Sequence, residues 1–513
     1  MSAVASCALD HYHKVLGKHG KPRLNENEWT VYAAIVCENV QTTDLWVVSC
    51  GTGTKCTTQG PEGWCLRDLH AEVLAKRGLQ RVLWKEIQKT LGVAATTTTT
   101  TATDADKADK SNTKSLLERQ EGKVSSAGIL FQLRKCLKLH LYISESPCGD
   151  ASIYPLQNKN GEMKFTGSKL LLSSATAATT AATTAATTAA TSSSSDHGGV
   201  FQILQAGNDG SVVGRESIQA LGKLRTKSGR SNLPSHLRSS SMSCSDKILR
   251  WTILGLQGSV LTCRIPMPIR LMSVVVSSSS DTVAATECTT VQQSALHRAI
   301  VERFQTTVQT LQSSNELIAE PLLSDLQKHP PTVHVVSAPL FVVSGCSVCQ
   351  PPFASEEKRS STVAAKSLSS ALSMSPPPSK KQRRQQGPKG PSSCGFSIAW
   401  QQDSHNGCES TEILIGARGI RQGKKPKSNE DYTKLASRLC RRRLYELAME
   451  TTTAQKEGND QALSNQPNTQ LSYRQWKEQT ANPTMQQFRR VVLSTGPLQG
   501  WLEPRRGRQD FVL

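Results

Sequence analysis

The sequence is short of the residues that fill a protein interior: 5% of its 513 residues are aromatic and 37% hydrophobic. A chain of this length with so thin an apolar share cannot pack throughout, so disordered segments are expected around a substantial ordered core. No apolar run approaches the roughly 20 residues of a membrane-crossing helix, and no membrane partner is expected. Met1–Gly20 holds Asp10, His11, His13, Lys14 and Lys18 where a secretory leader would be apolar. The fifteen cysteines follow no disulfide spacing and read as reduced thiols of the cytoplasm or nucleus, a few of which can bind metal. Acids are scarce beside bases, 41 against 61, which leaves a formal net charge of +20. A small-metabolite enzyme rarely needs such a surplus; a surface that meets phosphates does, because each neutralised phosphate releases counterions. Part of the surplus sits in a solvated basic linker.

Four stretches have the composition of inserts: Gly92–Lys123, Ser173–Ser195 with its repeated Thr-Thr-Ala-Ala unit, Ser277–Thr290, and the Ser/Pro/Lys/Arg-rich Ala354–Pro391. None offers an apolar face to offset an ordering cost of about 1–2 kcal/mol per residue. The last carries Lys380, Lys381, Arg383 and Arg384, which read as a nuclear import signal or as a solvated linker. Cys346 and Cys349 form a Cys-x-x-Cys without a second pair and read as unpaired loop thiols. Between the inserts, Leu137, Leu139, Leu141 and Ile143 alternate with Lys138, His140 and Tyr142, the period of a half-buried strand. Leu45–Ser49 reads as another strand, ending in a Gly-Thr-Gly-Thr turn. From His70 onward, Val73, Leu74, Val82, Leu83 and Ile87 fall at helical spacing, with Asp68 near the start. Alternating strands and helices predict an α/β layer fold.

Chemistry enters with His70-Ala71-Glu72 at the head of that helix and Ser146-Pro147-Cys148 after the 137–143 strand, where a turn is expected to open a second helix. An imidazole and thiolates hold Zn²⁺ with one coordination position open, and water there loses a proton near neutral pH. The glutamate of such a signature is not a ligand; it moves protons. The second cysteine usually found three residues after the first is missing, because Ala151 stands there. Either the third ligand comes from elsewhere or the site is inactive. Cys244, in Met242-Ser243-Cys244-Ser245-Asp246-Lys247, is the best candidate.

Seven blocks in order carry a family resemblance: GTGTKC (Gly51–Cys56), HAE (His70–Glu72), SPCGDA (Ser146–Ala151), RTK (Arg225–Lys227), MSCSDKILRW (Met242–Trp251), GLQGS (Gly255–Ser259) and SRLC (Ser437–Cys440). The chain resembles the adenosine deaminases acting on RNA, a family that comprises the double-stranded-RNA enzymes and the tRNA enzymes. The resemblance implies a cytidine-deaminase-like three-layer α/β fold, with a central mixed sheet flanked by helices and elaborated by C-terminal helices and the inserts. It implies His70, Cys148 and Cys244 as zinc ligands, Glu72 as proton shuttle, and Thr54 and Lys55 beside the extruded nucleotide. It further implies a buried inositol hexakisphosphate, touched by Lys76, Arg77, Lys247, Arg250, Trp251, Gln257, Ser259, Arg441, Tyr473, Lys477, Trp501, Glu503 and Asp510. A buried polyanion would explain adjacent Lys76 and Arg77 on a core helix. The chain departs from the family at Pro483, Gln487 and Pro504, although Arg505 and Arg506 adjoin the last.

The matched blocks imply an N-terminal segment over 1–28 followed by one deaminase domain over 29–513. About 28 residues before the first strand leave no room for the RNA-binding domains of the double-stranded-RNA enzymes, so the architecture resembles the tRNA enzyme. Its family reaction makes inosine 3′ of the anticodon in alanine tRNA, and no obligate protein partner is evident. Editing of duplex or messenger RNA, and RNA binding without catalysis, stay open as alternatives.

Overall fold

The computed structural model describes residues 1–16, 28–92, 114–125, 128–155, 163–164, 168–172, 202–203, 221–227, 238–278, 284–314, 316, 318–337, 392–402, 411–453, 471–503 and 511. In chain order the elements that matter begin with helix α1 (Ser2–His11), strands β1 (Tyr32–Asn39) and β2 (Leu45–Thr52), helix α2 (Ala71–Thr90), and strands β3 (Leu117–Ser125), β4 (Gly128–Leu133) and β5 (Leu137–Ile143). Helix α3 (Cys244–Leu254), β6 (Leu271–Ser278), α4 (Ala284–His297), β7 (Thr332–Ser337), β8 (Phe396–Gln401), β9 (Thr411–Ile415) and β10 (Ile420–Arg421) follow. Four helices close the chain: α5 (Asn429–Leu435), α6 (Arg441–Thr453), α7 (Tyr473–Thr480) and α8 (Pro483–Ser494).

Eight strands form one mixed sheet in the order β7-β6-β5-β1-β2-β8-β9-β10. The β5-β6-β7 part is parallel, and the remaining pairs are antiparallel. Helices cover both faces, so the α/β class and the flanked mixed sheet are as the sequence predicts. On one face α2 and α3 share a core with Leu139, Leu141 and Val274. Helix α2 is rich in strong helix formers, and its apolar stripe (Leu79, Val82, Leu83, Ile87) is buried against the strands. The opposite face is covered by α1, whose Val4, Ala5 and Ala8 pack on Tyr32 and Tyr142. The Tyr32 hydroxyl donates to the Ala8 carbonyl at 3.0 Å.

The structure corrects two expectations, one on strand β5 and one on the inserts. Strand β5 is not half-buried: His140 and Tyr142 lie inside as well, because α1 roofs the face their alternation assigns to water. Their polar atoms are satisfied there, His140 by Ser273 and Glu38, Tyr142 by Ser277. Within the N-terminal segment, α1 packs into the core through Val4, Ala5, Ala8 and Leu9. The inserts are shorter than their composition suggests. Within the first, Leu116 and Leu117 are buried and β3 pairs with β4. Within the third, α4 begins at Ala284, carries Ala295 and Leu296 into the core, and is tied by Gln292 to Ser146 at 2.8 Å. The inserts over 173–195 and 354–391, with the basic run Lys380–Arg384, lie outside the described residues, as do Cys346 and Cys349.

Candidate active site

Two helix starts and one strand end converge on a point. His70 immediately precedes α2, in extended conformation. Cys244 is the first residue of α3, whose N-cap Ser243 accepts from the Asp246 amide. Cys148 follows β5 in a turn, but that turn makes only a single tight coil at Asp150–Ser152, not the helix expected of it. The chain reverses at Gly149 with φ 111°, and a Cβ there would stand 2.3 Å from the hydroxyls of Ser243 and Ser245, so glycine is required on both counts.

Ligand atoms of His70, Cys148 and Cys244 all lie within 4.8 Å of one another. His70 Nδ1 is 3.9 Å from Cys148 Sγ, and the Cys244 amide donates to that sulfur at 3.4 Å. Burial pushes the Cys244 thiol well up, while a hydrogen bond from it pulls Cys148 down. A divalent ion between the two sulfurs would displace the proton of that hydrogen bond. Glu72 is 2% exposed, and its Oε2 has no hydrogen-bond partner among the described residues. A buried carboxylate oxygen left bare is costly unless a cation or proton donor faces it. One imidazole, two sulfurs and that orphaned oxygen fit zinc with an open fourth position.

The sequence left two neighbours without a role. Asp68 Oδ1 accepts from the His70 amide at 3.0 Å, fixing the ligand's backbone. Its Oδ2 receives the ammoniums of Lys227, at 2.8 Å, and Lys247, and the Ser241 hydroxyl at 2.6 Å. Lys227 in turn donates to Cys244 Sγ at 3.0 Å. Burial raises the Asp68 carboxyl, but the two lysines outweigh it and hold the group well below the usual range. A positive charge on the sulfur favours the thiolate that a metal needs. Asp68→Asn should therefore cost about 3 kcal/mol or more, as breaking a buried ion pair does. It should also weaken zinc retention about 10- to 100-fold, as lost outer partners do. Urea unfolding and zinc content after chelator dialysis would check both. Thr54 and Lys55 sit in the turn before this site: Thr54 Oγ1 is buried without a partner among the described residues, and Lys55 Nζ reaches Ser393.

Beyond Lys247 lies a cavity of about 820 Å³ between α2, α3, α7 and α8. Lys76 and Arg77 enter from α2, Lys247, Arg250 and Trp251 from α3, and Ser259 from the short helical turn Gly258–Leu261 that follows it. Arg441, Tyr473 and Lys477 close one side, Trp501 and Glu503 another. Gln257 lines a small recess that adjoins this cavity and shares Arg77, Arg441 and Tyr473 with it. Its amide is committed to the Met267 carbonyl and the Ile269 amide, because it shapes the loop after α3. Asp510 lies outside the described residues. Arg489 and Arg490 of α8 also line the wall; no motif assigns them a role, since they follow Pro483 and Gln487, where the family pattern breaks. Burial, reinforced by neighbouring cations, pulls Lys76 down to about 7, Arg250 to about 9 and Lys477 to about 8. Of the four lining acids, Asp68 is taken by two lysines, Glu503 by Arg489, Glu62 by Arg67 and Glu478 by Arg474. Crowded, half-buried cations with the nearby counter-charges already engaged fit a polyanion.

The adenosine-deaminase (editase) domain model matches residues 49–504. The chain belongs to that family. Among curated proteins it is 29% identical over 303 residues to the tRNA-specific adenosine deaminase 1 of Drosophila melanogaster, covering 56% of each chain. It is 28% identical over 382 residues to the mouse protein of the same name, covering 60% of this chain and 68% of the relative. The mouse double-stranded RNA-specific adenosine deaminase is 28% identical over 235 residues, which span 44% of this chain and 15% of the relative. The chain thus spans between about half and two thirds of the length of the tRNA-specific relatives it matches. No described helix is long and apolar enough to cross a membrane.

Proposed function

We propose that this deaminase converts adenosine to inosine in tRNA, next to the anticodon on its 3′ side in alanine tRNA, with water consumed and ammonia released. The observation that carries the reading is the His70, Cys148 and Cys244 cluster with the unpartnered Glu72 oxygen buried beside it. Zinc held by those three residues would supply the Lewis acidity that makes water nucleophilic at neutral pH. Glu72 takes one proton of the attacking water and passes it to N1 of the adenine ring as the C6–O bond forms; it then relays the proton of the new C6 hydroxyl to the amine, so that the C6–N bond breaks, ammonia leaves and the C6 carbonyl of inosine remains. Thr54 and Lys55 position the displaced nucleotide, a small cost for a base already unpaired in a loop. Inositol hexakisphosphate is the polyanion proposed for the cationic cavity; six phosphates match its many cations. The tRNA-specific relatives support the substrate class.

Incubating purified protein with alanine tRNA transcript and sequencing for A-to-G changes tests the reading. Conversion is expected at the nucleotide 3′ of the anticodon, and a long RNA duplex in the parallel arm should stay unedited. Editing of the duplex alone would transfer the assignment to double-stranded RNA. Absence of inosine in both arms from zinc-loaded protein would overturn it.

A further inference from the structure

The edge of the sheet ends in a strip that catalysis does not use. Residues 418–427 read Arg-Gly-Ile-Arg-Gln-Gly-Lys-Lys-Pro-Lys, five cations and no acid in ten positions. Arg421, Lys424, Lys425 and Lys427 are exposed and Arg418 is half-buried. Among the described residues, no ion pair engages Arg418, Lys424, Lys425 or Lys427, although pairs form nearby, as between Lys434 and Glu430.

The strip is held rigidly. Its hairpin tip is pressed onto the loop that leads to the ligand cluster: Leu66 donates to the Gly419 carbonyl at 2.8 Å, and the Thr57 hydroxyl donates to that of Ala417, also at 2.8 Å. Gly419 has φ 68°, and a Cβ there would stand 2.0 Å from the Leu66 carbonyl oxygen. At the far end, Asp431 accepts from the amides of Lys427 and Ser428 at 2.8 and 3.1 Å and closes the capping box of α5. The strip also adjoins the nucleotide turn. Gly416 packs against the Lys55 side chain, and the Lys55 carbonyl accepts from Leu69, the residue before His70.

An ordinary solvated surface mixes both signs of charge. Here one sign is displayed on a backbone braced at both ends, continuous with the turn where a nucleotide would enter. From this we infer that residues 418–427 form a track for the RNA backbone, in which Lys424, Lys425 and Lys427 contact phosphates flanking the target nucleotide. The inference rests on the RNA-deaminase reading for its direction, not for its test. Phosphate contacts position a nucleic acid without reading its sequence, so the track should act on affinity and not on the chemical step.

The experiment compares the full chain with its Lys424→Gln/Lys425→Gln/Lys427→Gln variant, both zinc-loaded and matched in thermal midpoint. Two probes are used: alanine tRNA transcript and a non-substrate single-stranded RNA. Binding of both should weaken about tenfold or more near physiological salt, and the slope of log affinity against log salt should fall by about 2 to 3. With tRNA, KM should rise by the same factor while kcat holds. Unchanged affinity and salt slope in the variant would overturn the track alone. Binding of RNA that weakens as expected, with no inosine formed by either protein, would retain the track and remove the deaminase reading. Failure of the unmodified chain to bind either RNA would remove both.

Discussion

Glu72→Gln should abolish inosine formation, lowering turnover by about 10³-fold or more, while zinc content and thermal midpoint stay at the level of the unmodified chain. Proton transfer by a positioned side chain contributes about 10²–10⁴-fold, and here one group serves the attacking water, the ring nitrogen and the leaving amine. The amide matches the carboxylate in size but cannot take up and return a proton. The geometry separates this effect from misfolding: Glu72 is not among the clustered ligand residues, and its Oε2 supports no other described group. Single-turnover deamination of saturating tRNA, with zinc measured on the same sample, reads both halves. Turnover near that of the unmodified chain would refute the role of Glu72.

Stripping the polyanion should destabilise the protein most in neutral and mildly acidic solution. Lys76 is lowered from its ordinary 10.5 to about 7 by burial and by Arg77 and Arg250, and Lys477 to about 8. Between roughly pH 7 and 10 the unfolded chain therefore holds protons that the stripped folded chain has released. Stability of the stripped protein rises with pH across that window and is lowest below it, where the lysines are charged inside a positive cavity. With hexakisphosphate bound, the lysines stay charged and the rise disappears. A ligand present at about a thousand times its Kd stabilises by about 4 kcal/mol. Thermal midpoints of stripped and reloaded protein at pH 6.5 and 9.5 should differ strongly at the first value and less at the second. Binding at pH 8.5 should take up protons, seen by calorimetry in buffers of different ionisation enthalpy. Equal midpoints at pH 6.5 would refute the polyanion.

What could be read beforehand follows from chemistry that residues carry locally. His70, Glu72 and Cys148 announce themselves by type and spacing, and Cys244 by the block around it; the fold brings the three ligands together. Helix α2 was legible because its apolar stripe is periodic. Roles that arise only from packing were not. Lys227 stands in a recognisable Arg-Thr-Lys block, yet its bridge from Asp68 to Cys244 depends on α3 lying alongside. Arg489 and Arg490 enter the cavity because α8 packs with α3 in one apolar cluster, which no local pattern states. The buried faces of His140 and Tyr142 required knowing that α1 would cover them. Composition misjudged the third insert because α4 needs only a few apolar positions, Ala295 and Leu296 among them, to anchor an otherwise largely polar helix.

The cationic cavity is assembled from stretches of chain far apart in sequence. Lys76 and Arg77 are made early, whereas α7, α8 and Trp501, which complete the enclosure, come about 400 residues later. At ribosomal speeds of about 5–20 residues per second, the early cations wait roughly 20–80 s before their chamber can shut. Any guest of that cavity can be enclosed only once this later stretch has been made and has folded against the earlier one.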